Sequence, residues 1–142
     1  VLLLAGLGSR LILNLTPSLP LGLYWKCSPR EVRRGDLVAF RAPETVASLV
    51  DERRYLPRGA YLMKPVVGVE GDWVCTDGAE LRVGGVSYGG IPDHDSMGRR
   101  LPRWDFCGIV PRGWVVVATA SAASFDSRRF GLVRAARQRA VK

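Results

Sequence analysis

Residues 61–90 read YLMKPVVGVEGDWVCTDGAELRVGGVSYGG, and this stretch decides the fold class. Its apolar runs are short, rich in valine and bounded by turn residues, the pattern of β-strands rather than of helices with a 3.6-residue period. YLMKPVVGV reads as one strand and Glu70-Gly71-Asp72 as a turn. DWVCTDGAELRVGGVSYGG reads as a hairpin with Asp77-Gly78 at its tip, a dipeptide suited to tight reversals.

The same punctuation extends outward. Upstream, LGLYWKCS (21–28) and GDLVAF (35–40) read as strands separated by the charged turn PREVRRGD. Between Pro43 and Arg54 the period changes: Val46, Leu49 and Val50 fall at helical spacing behind Pro43 and Glu44, predicting a short amphipathic helix. Downstream, residues 91–102 are polar and loop-like, and GWVVVATA (113–120) is the strongest strand in the chain. ASFDSRRFG (123–131) is turn-rich, and LVRAARQRAVK (132–142) reads as a closing basic helix. The expected class is mainly β, antiparallel sheets with one or two short helices.

At 142 residues the chain supports one domain with a real core. We expect residues 10–142 to form it, with 73–115 as a hairpin-and-loop excursion. VLLLAGLG at the start is too short to cross a bilayer, which takes roughly 20 residues. Residues 1–9 read as the remnant of an N-terminal membrane anchor, the alternative being a buried edge strand.

The formal net charge of +8 is compatible with nucleic acid, an anionic membrane or plain solubility. The arginines are dispersed and no helix-turn-helix or zinc finger is evident, which disfavours a DNA-binding module. Membrane-surface attraction is the preferred reading, with Arg134, Arg137 and Arg139 on the expected terminal helix. Metalloprotease HExxH and phosphate-loop GxxxxGK[ST] motifs are absent. His94 is the sole histidine, with no GxSxG elbow to serve. Cys27, Cys75 and Cys107 lack the paired spacing of a zinc site. In an oxidising compartment Cys75 and Cys107 are the preferred disulfide pair, with Cys27 free; otherwise all three are reduced, partly buried thiols.

Two residues carry chemical interest. Ser18 lies between Pro17 and Pro20, whose fixed φ and missing N–H groups leave it on a stiff turn outside any ladder. It is either a surface turn or a presented nucleophile. Lys64 is one of three lysines, with Lys26 and Lys142, in a chain that otherwise uses arginine. It alone is embedded in an apolar strand. A desolvated lysine can become a neutral amine and act as a base, which arginine cannot. The alternative is a strand lysine turned to water.

TPSLP, GDLVAF, YLMKPVVGVEGD and FDSRRFG occur in the order and relative positions of the boxes of type I signal peptidases, the serine–lysine proteases of family S26. Within that family the chain is most similar to the conjugative-transfer signal peptidases of TraF type, which share the PSxPLGLY, KPVVGVxGDxVC and GRxLPxW forms. The resemblance implies the signal-peptidase/LexA-like complex β-fold, with Ser18 as nucleophile and Lys64 as general base. It implies an oxyanion hole from Thr16 and the Ser18 amide, Ser124 orienting the lysine, and Asp126 with Arg128 as structural support. It further implies no cofactor or metal, and an extended segment of a pre-pilin or other exported protein as substrate. The location it implies is the bacterial inner membrane, with the catalytic domain on the periplasmic side and no nucleic acid partner. Cleavage ends in hydrolysis or, as in some TraF-type enzymes, in cyclisation of the pilin. The chain departs from the general leader peptidases where Ser18-Leu19-Pro20 brings the proline one residue nearer and Ala118-Thr119-Ala120-Ser121 replaces GDNR. A self-cleaving LexA-type repressor would share the chemistry but would need a preceding DNA-binding domain.

Overall fold

The computed structural model describes residues 2–3, 11–14, 19–27, 31–57, 60–135 and 138–141. They form two antiparallel sheets and two short helices. The larger sheet contains β1 (Leu2–Leu3), β2 (Leu11–Asn14), β3 (Gly22–Cys27), β4 (Leu37–Arg41) and β5 (Tyr61–Gly68). The smaller is built from β6 (Trp73–Cys75), β7 (Glu80–Val83), β8 (Val86–Gly90) and β9 (Cys107–Ile109). The chain then returns to the larger sheet through β10 (Trp114–Val117), β11 (Val133–Arg134) and β12 (Gln138–Val141). Helix α1 (Glu44–Glu52) bridges β4 and β5, and α2 (Ser127–Phe130) follows β10.

Strand order in the large sheet is β1-β2-β3-β12-β4-β5-β10-β11 and in the small one β8-β7-β6-β9. β5 is therefore central. It pairs with β4 from Tyr61 to Pro65, Lys64 facing Val38, and on its other edge with β10 through Val66 and Gly68. Pro65 has no N–H to give either neighbour. Its carbonyl accepts from Ala118 at 3.2 Å, just beyond the point where the β10 register shifts between Val116 and Val117.

Two apolar clusters brace this frame. Val38, Phe40, Leu62, Val66, Val115, Val117 and Val133 pack within the large sheet. Val67, Val74, Leu81, Val83, Val110, Val116 and Ala118 join the two sheets. The sheets meet closely at Gly68, where an added Cβ would lie 3.2 Å from both Val116 and Val83. The turn after β5 is closed by Asp72, whose carboxylate accepts from the Val69 amide at 2.9 Å. Across β6 and β9, Cys75 and Cys107 occupy paired positions and are joined by a disulfide.

One expectation is corrected. The basic C-terminal segment is not a helix: Val133–Arg134 pairs with β10, and Gln138–Val141 inserts between β3 and β4, bonding to both. Alanine and arginine favour helix, but propensity is a weak prior when two strand edges stand open on either side. Arg134 and Arg139 therefore belong to strands, Arg134 with its guanidinium 4.6 Å from the Trp114 ring centroid. Arg137 lies outside the described residues.

Candidate active site

Lys64 sits mid-strand in β5, between Leu62 and Val66 of the core, and is 5% exposed. Burial holds its pKa below the ordinary 10.5; the Asp126 charge opposes that shift and the Arg128 charge adds to it. Nζ donates to Ser124 Oγ at 2.8 Å, a buried contact across 60 residues of sequence. Ser124 closes a turn in which its amide donates to the Ser121 carbonyl at 3.1 Å.

Behind Ser124 lies a fully buried ion pair. Arg128 reaches Asp126 through both Nε, at 3.0 Å, and Nη2, at 2.7 Å, the two-pronged geometry that makes such pairs strong. Asp126 also caps α2 by accepting from the Arg128 amide, and accepts from the Thr119 amide at 3.3 Å. The remaining Arg128 donors bind the carbonyls of Thr119, Ser121, Tyr88 and Gly90. One guanidinium thus pins the Ser121–Ser124 turn to the small sheet. Ser127 Oγ accepts from the Val117 amide and ties α2 to β10.

Ser18 and Thr16 lie outside the described residues. What is described is the hairpin that carries them. Asn14 and Gly22 are paired at its base. The Asn14 amide, wholly buried, donates to the carbonyls of Leu19 and Pro20 at 3.2 and 3.1 Å, and the Tyr24 hydroxyl donates to Pro20 at 2.8 Å. Leu19 packs on the cluster of Tyr24, Ala39 and Met63. The chain immediately after Ser18 is therefore fastened to strands β3, β4 and β5.

Beside Lys64 opens a cavity of about 750 Å³, with a mostly apolar wall that includes Leu62, Met63, Leu101 and Phe125. It lies along the part of β5 that β10 leaves uncovered. Tyr55 and Asp95 face it and are locked together at 2.6 Å. That bond, with others from Arg99 and the Met97 amide, keeps the Asp95 carboxyl well below the usual carboxylate range. His94 also lines the cavity. Cys75 and Cys107 are in the small sheet; their sulfurs, close to Asp77, are spent on each other and are not free to ligate a metal.

The supports at Asn14 and Tyr24 were missed by sequence reasoning. A usable signal existed at Asn14: a polar residue ends an apolar strand just before a segment whose prolines cannot donate. Arg129, adjacent to Arg128 and 4% exposed, was also missed, and two consecutive arginines give no sign of which is buried.

A family model described as signal peptidase, peptidase S26, matches residues 5–140. The chain is 36% identical over 131 residues to the plasmid transfer protein TraF of Escherichia coli, covering 84% of this chain and 73% of that protein. To the conjugal transfer protein TraF of Agrobacterium tumefaciens (strain 15955) it is 37% identical over 131 residues, covering 85% and 73%. Among solved structures, signal peptidase I of Enterococcus faecalis V583 aligns over 77% of this chain and 94% of its own, with 23% identity and a TM-score of 0.44.

Proposed function

The chain belongs to the signal peptidase family S26, and on that premise we propose that it is a serine endopeptidase working through a Ser18–Lys64 dyad. One observation carries the reading: an amine in an apolar strand, buried, held below its ordinary pKa and hydrogen-bonded to Ser124. Neutral Lys64 takes the Ser18 proton as Ser18 attacks the scissile carbonyl, forming the acyl-enzyme and returning the proton to the leaving amine. Thr16 Oγ and the Ser18 amide stabilise the oxyanion. Ser124 aims the amine. Asp126 and Arg128 act through that turn and touch no substrate.

The substrate is a segment of an exported, pilin-type protein, the class that the resemblance of the sequence boxes implies, and the names of the TraF relatives add plasmid or conjugal transfer as its setting. It binds extended along the uncovered edge of β5, adding backbone hydrogen bonds beside Lys64. The domain works at the outer face of the bacterial inner membrane. Leu21, Leu23 and Trp25 support this: they alternate along the Ser18 hairpin and are 62%, 47% and 51% exposed, an apolar strip beside the proposed nucleophile. No helix among the described residues is long and apolar enough to cross a membrane.

The test is mass spectrometry of a pilin-type protein co-expressed with the full chain. Wild type should shorten it, and Ser18→Ala and Lys64→Ala should leave it whole. A product lighter than the linear fragment by one water would mark cyclisation. Full processing by Lys64→Ala would end the dyad mechanism.

A further inference from the structure

Arg129 is buried beside the fully enclosed Arg128 but is differently used. Arg128 spends its donors on Asp126 and four carbonyls. Arg129 lines the cavity beside Lys64, and its guanidinium makes one long bond, Nη1 to the Pro102 carbonyl at 3.4 Å. No carboxylate among the described residues stands within ion-pair distance of it. All 13 acidic side chains of the chain lie within those residues. Its other guanidinium nitrogens have no hydrogen-bond partner among the described residues and are not wholly shut off from solvent. Burial depresses its pKa; Asp126 and, more weakly, Asp93 raise it, while Arg128 and Arg103 lower it further.

An arginine keeps its charge at neutral pH. The chain thus maintains a partly desolvated fixed cation in a mostly apolar wall with most donors unspent on protein, an arrangement that an anionic acceptor would complete. The cavity's own carboxylate cannot do so, because Asp95 accepts from Tyr55, from Arg99 Nε and from the amides of Met97 and Arg99.

We propose that Arg129 is a specificity residue that receives a carboxylate of the peptide substrate, from an acidic side chain or a free C-terminus, lodged in the cavity beside Lys64. The proposal rests on the peptidase reading only in taking the occupant to be a peptide. A guanidinium matches a carboxylate bidentately, and in a mostly apolar cavity that match separates an acid from an amide of the same shape.

The experiment uses the Ser18→Ala chain, so that peptides are bound and not consumed. Two pairs are titrated by NMR: acetyl-trialanine as free acid and as amide, and acetyl-Ala-Glu-Ala amide against its Gln twin. The resonances followed are the amides of residues 121–125 and the Arg129 Nε–H. At least one acid should bind roughly tenfold or more tighter than its neutral twin, the gap falling below about twofold in Arg129→Gln and partly returning in Arg129→Lys. The acid that shows the preference identifies the source of the carboxylate. Equal binding of acid and twin in both pairs, no saturable binding of either acid, or a preference that survives Arg129→Gln would overturn the proposal. Should Arg129→Gln not fold, the acid-versus-amide comparison and the Arg129 Nε–H shift in the otherwise unaltered chain still decide. Failure of the peptidase reading would show elsewhere, as undiminished pilin processing by Ser18→Ala, and leaves this comparison intact.

Discussion

Lys64 Nζ and Ser124 Oγ stand 2.8 Å apart, both buried, although 60 residues separate them in the chain. The contact depends on the Ser121 carbonyl, which accepts from the Ser124 amide and from Arg128 Nη2. Aim and support of the amine are thus one hydrogen-bonded unit.

Replacing Ser124 by Ala removes the one side-chain partner of the amine among the described residues. With an interaction of about 1–3 kcal/mol lost, kcat should fall roughly tenfold to a hundredfold with KM little changed. Steady-state kinetics on a cleavable peptide measures this. A rise in KM at constant kcat would assign Ser124 to substrate binding.

The depressed Lys64 pKa sets two pH dependences. Cleavage should rise with one ionisation below the 10.5 of an ordinary lysine. For stability the unfolded chain binds the extra proton, so the penalty of burying Lys64 is full below the folded-state pKa and is relieved as pH climbs toward 10.5. Lys64→Met should therefore be at least as stable as wild type in urea at neutral pH, its advantage shrinking in alkali. An advantage that grew with pH would contradict the burial.

Asp126→Asn leaves Arg128 charged and unpaired in a site where both side chains are fully buried. Breaking such a pair costs about 3–5 kcal/mol. Thermal denaturation should show the loss, with activity falling in parallel because the Ser124 turn loses its anchor. A melting temperature equal to wild type would mean that the pair contributes no net stability.

The Cys75–Cys107 bridge closes a loop with a sequence separation of 32. Loop entropy makes its removal worth about 3–4 kcal/mol. The double Ser variant should unfold at lower urea in oxidising buffer and match wild type once both are reduced. Because the bridge lies in the small sheet, peptide cleavage under conditions where the variant is folded should be unchanged.

The strands from β3 to β5 and β10 were legible in the sequence as short valine-rich runs cut by turn residues, whereas the single hairpin read in 72–90 is three strands, with a second turn at Gly84-Gly85, and β9 was not read at all. The family was legible in four ordered boxes. Lys64 stood out by composition, as a lysine in an apolar strand, whereas Ser124 could be placed near it only by resemblance, since nothing local links positions 60 apart. β12 was misread because its partners, β3 and β4, lie about a hundred residues earlier in the chain and local propensity pointed to helix. Arg129 was illegible for the same kind of reason: its isolation follows from which carboxylates fail to reach it.

The position of β12 has a consequence for timing. Among the described residues, the backbone ladder from the Ser18 hairpin to the Lys64 strand runs through β12, seated between β3 and β4. On a translating ribosome, β2 to β5 emerge long before residues 138–141, so until β12 arrives the two sides of the proposed dyad are held only by side-chain packing such as Leu19 against Ala39 and Met63. A chain stopped at residue 137 should lose hydrogen-exchange protection in β3 while keeping it between β4 and β5. The proposed dyad is in effect armed by a strand made about seventy residues after Lys64, and a chain halted before that strand holds its two halves without the ladder between them.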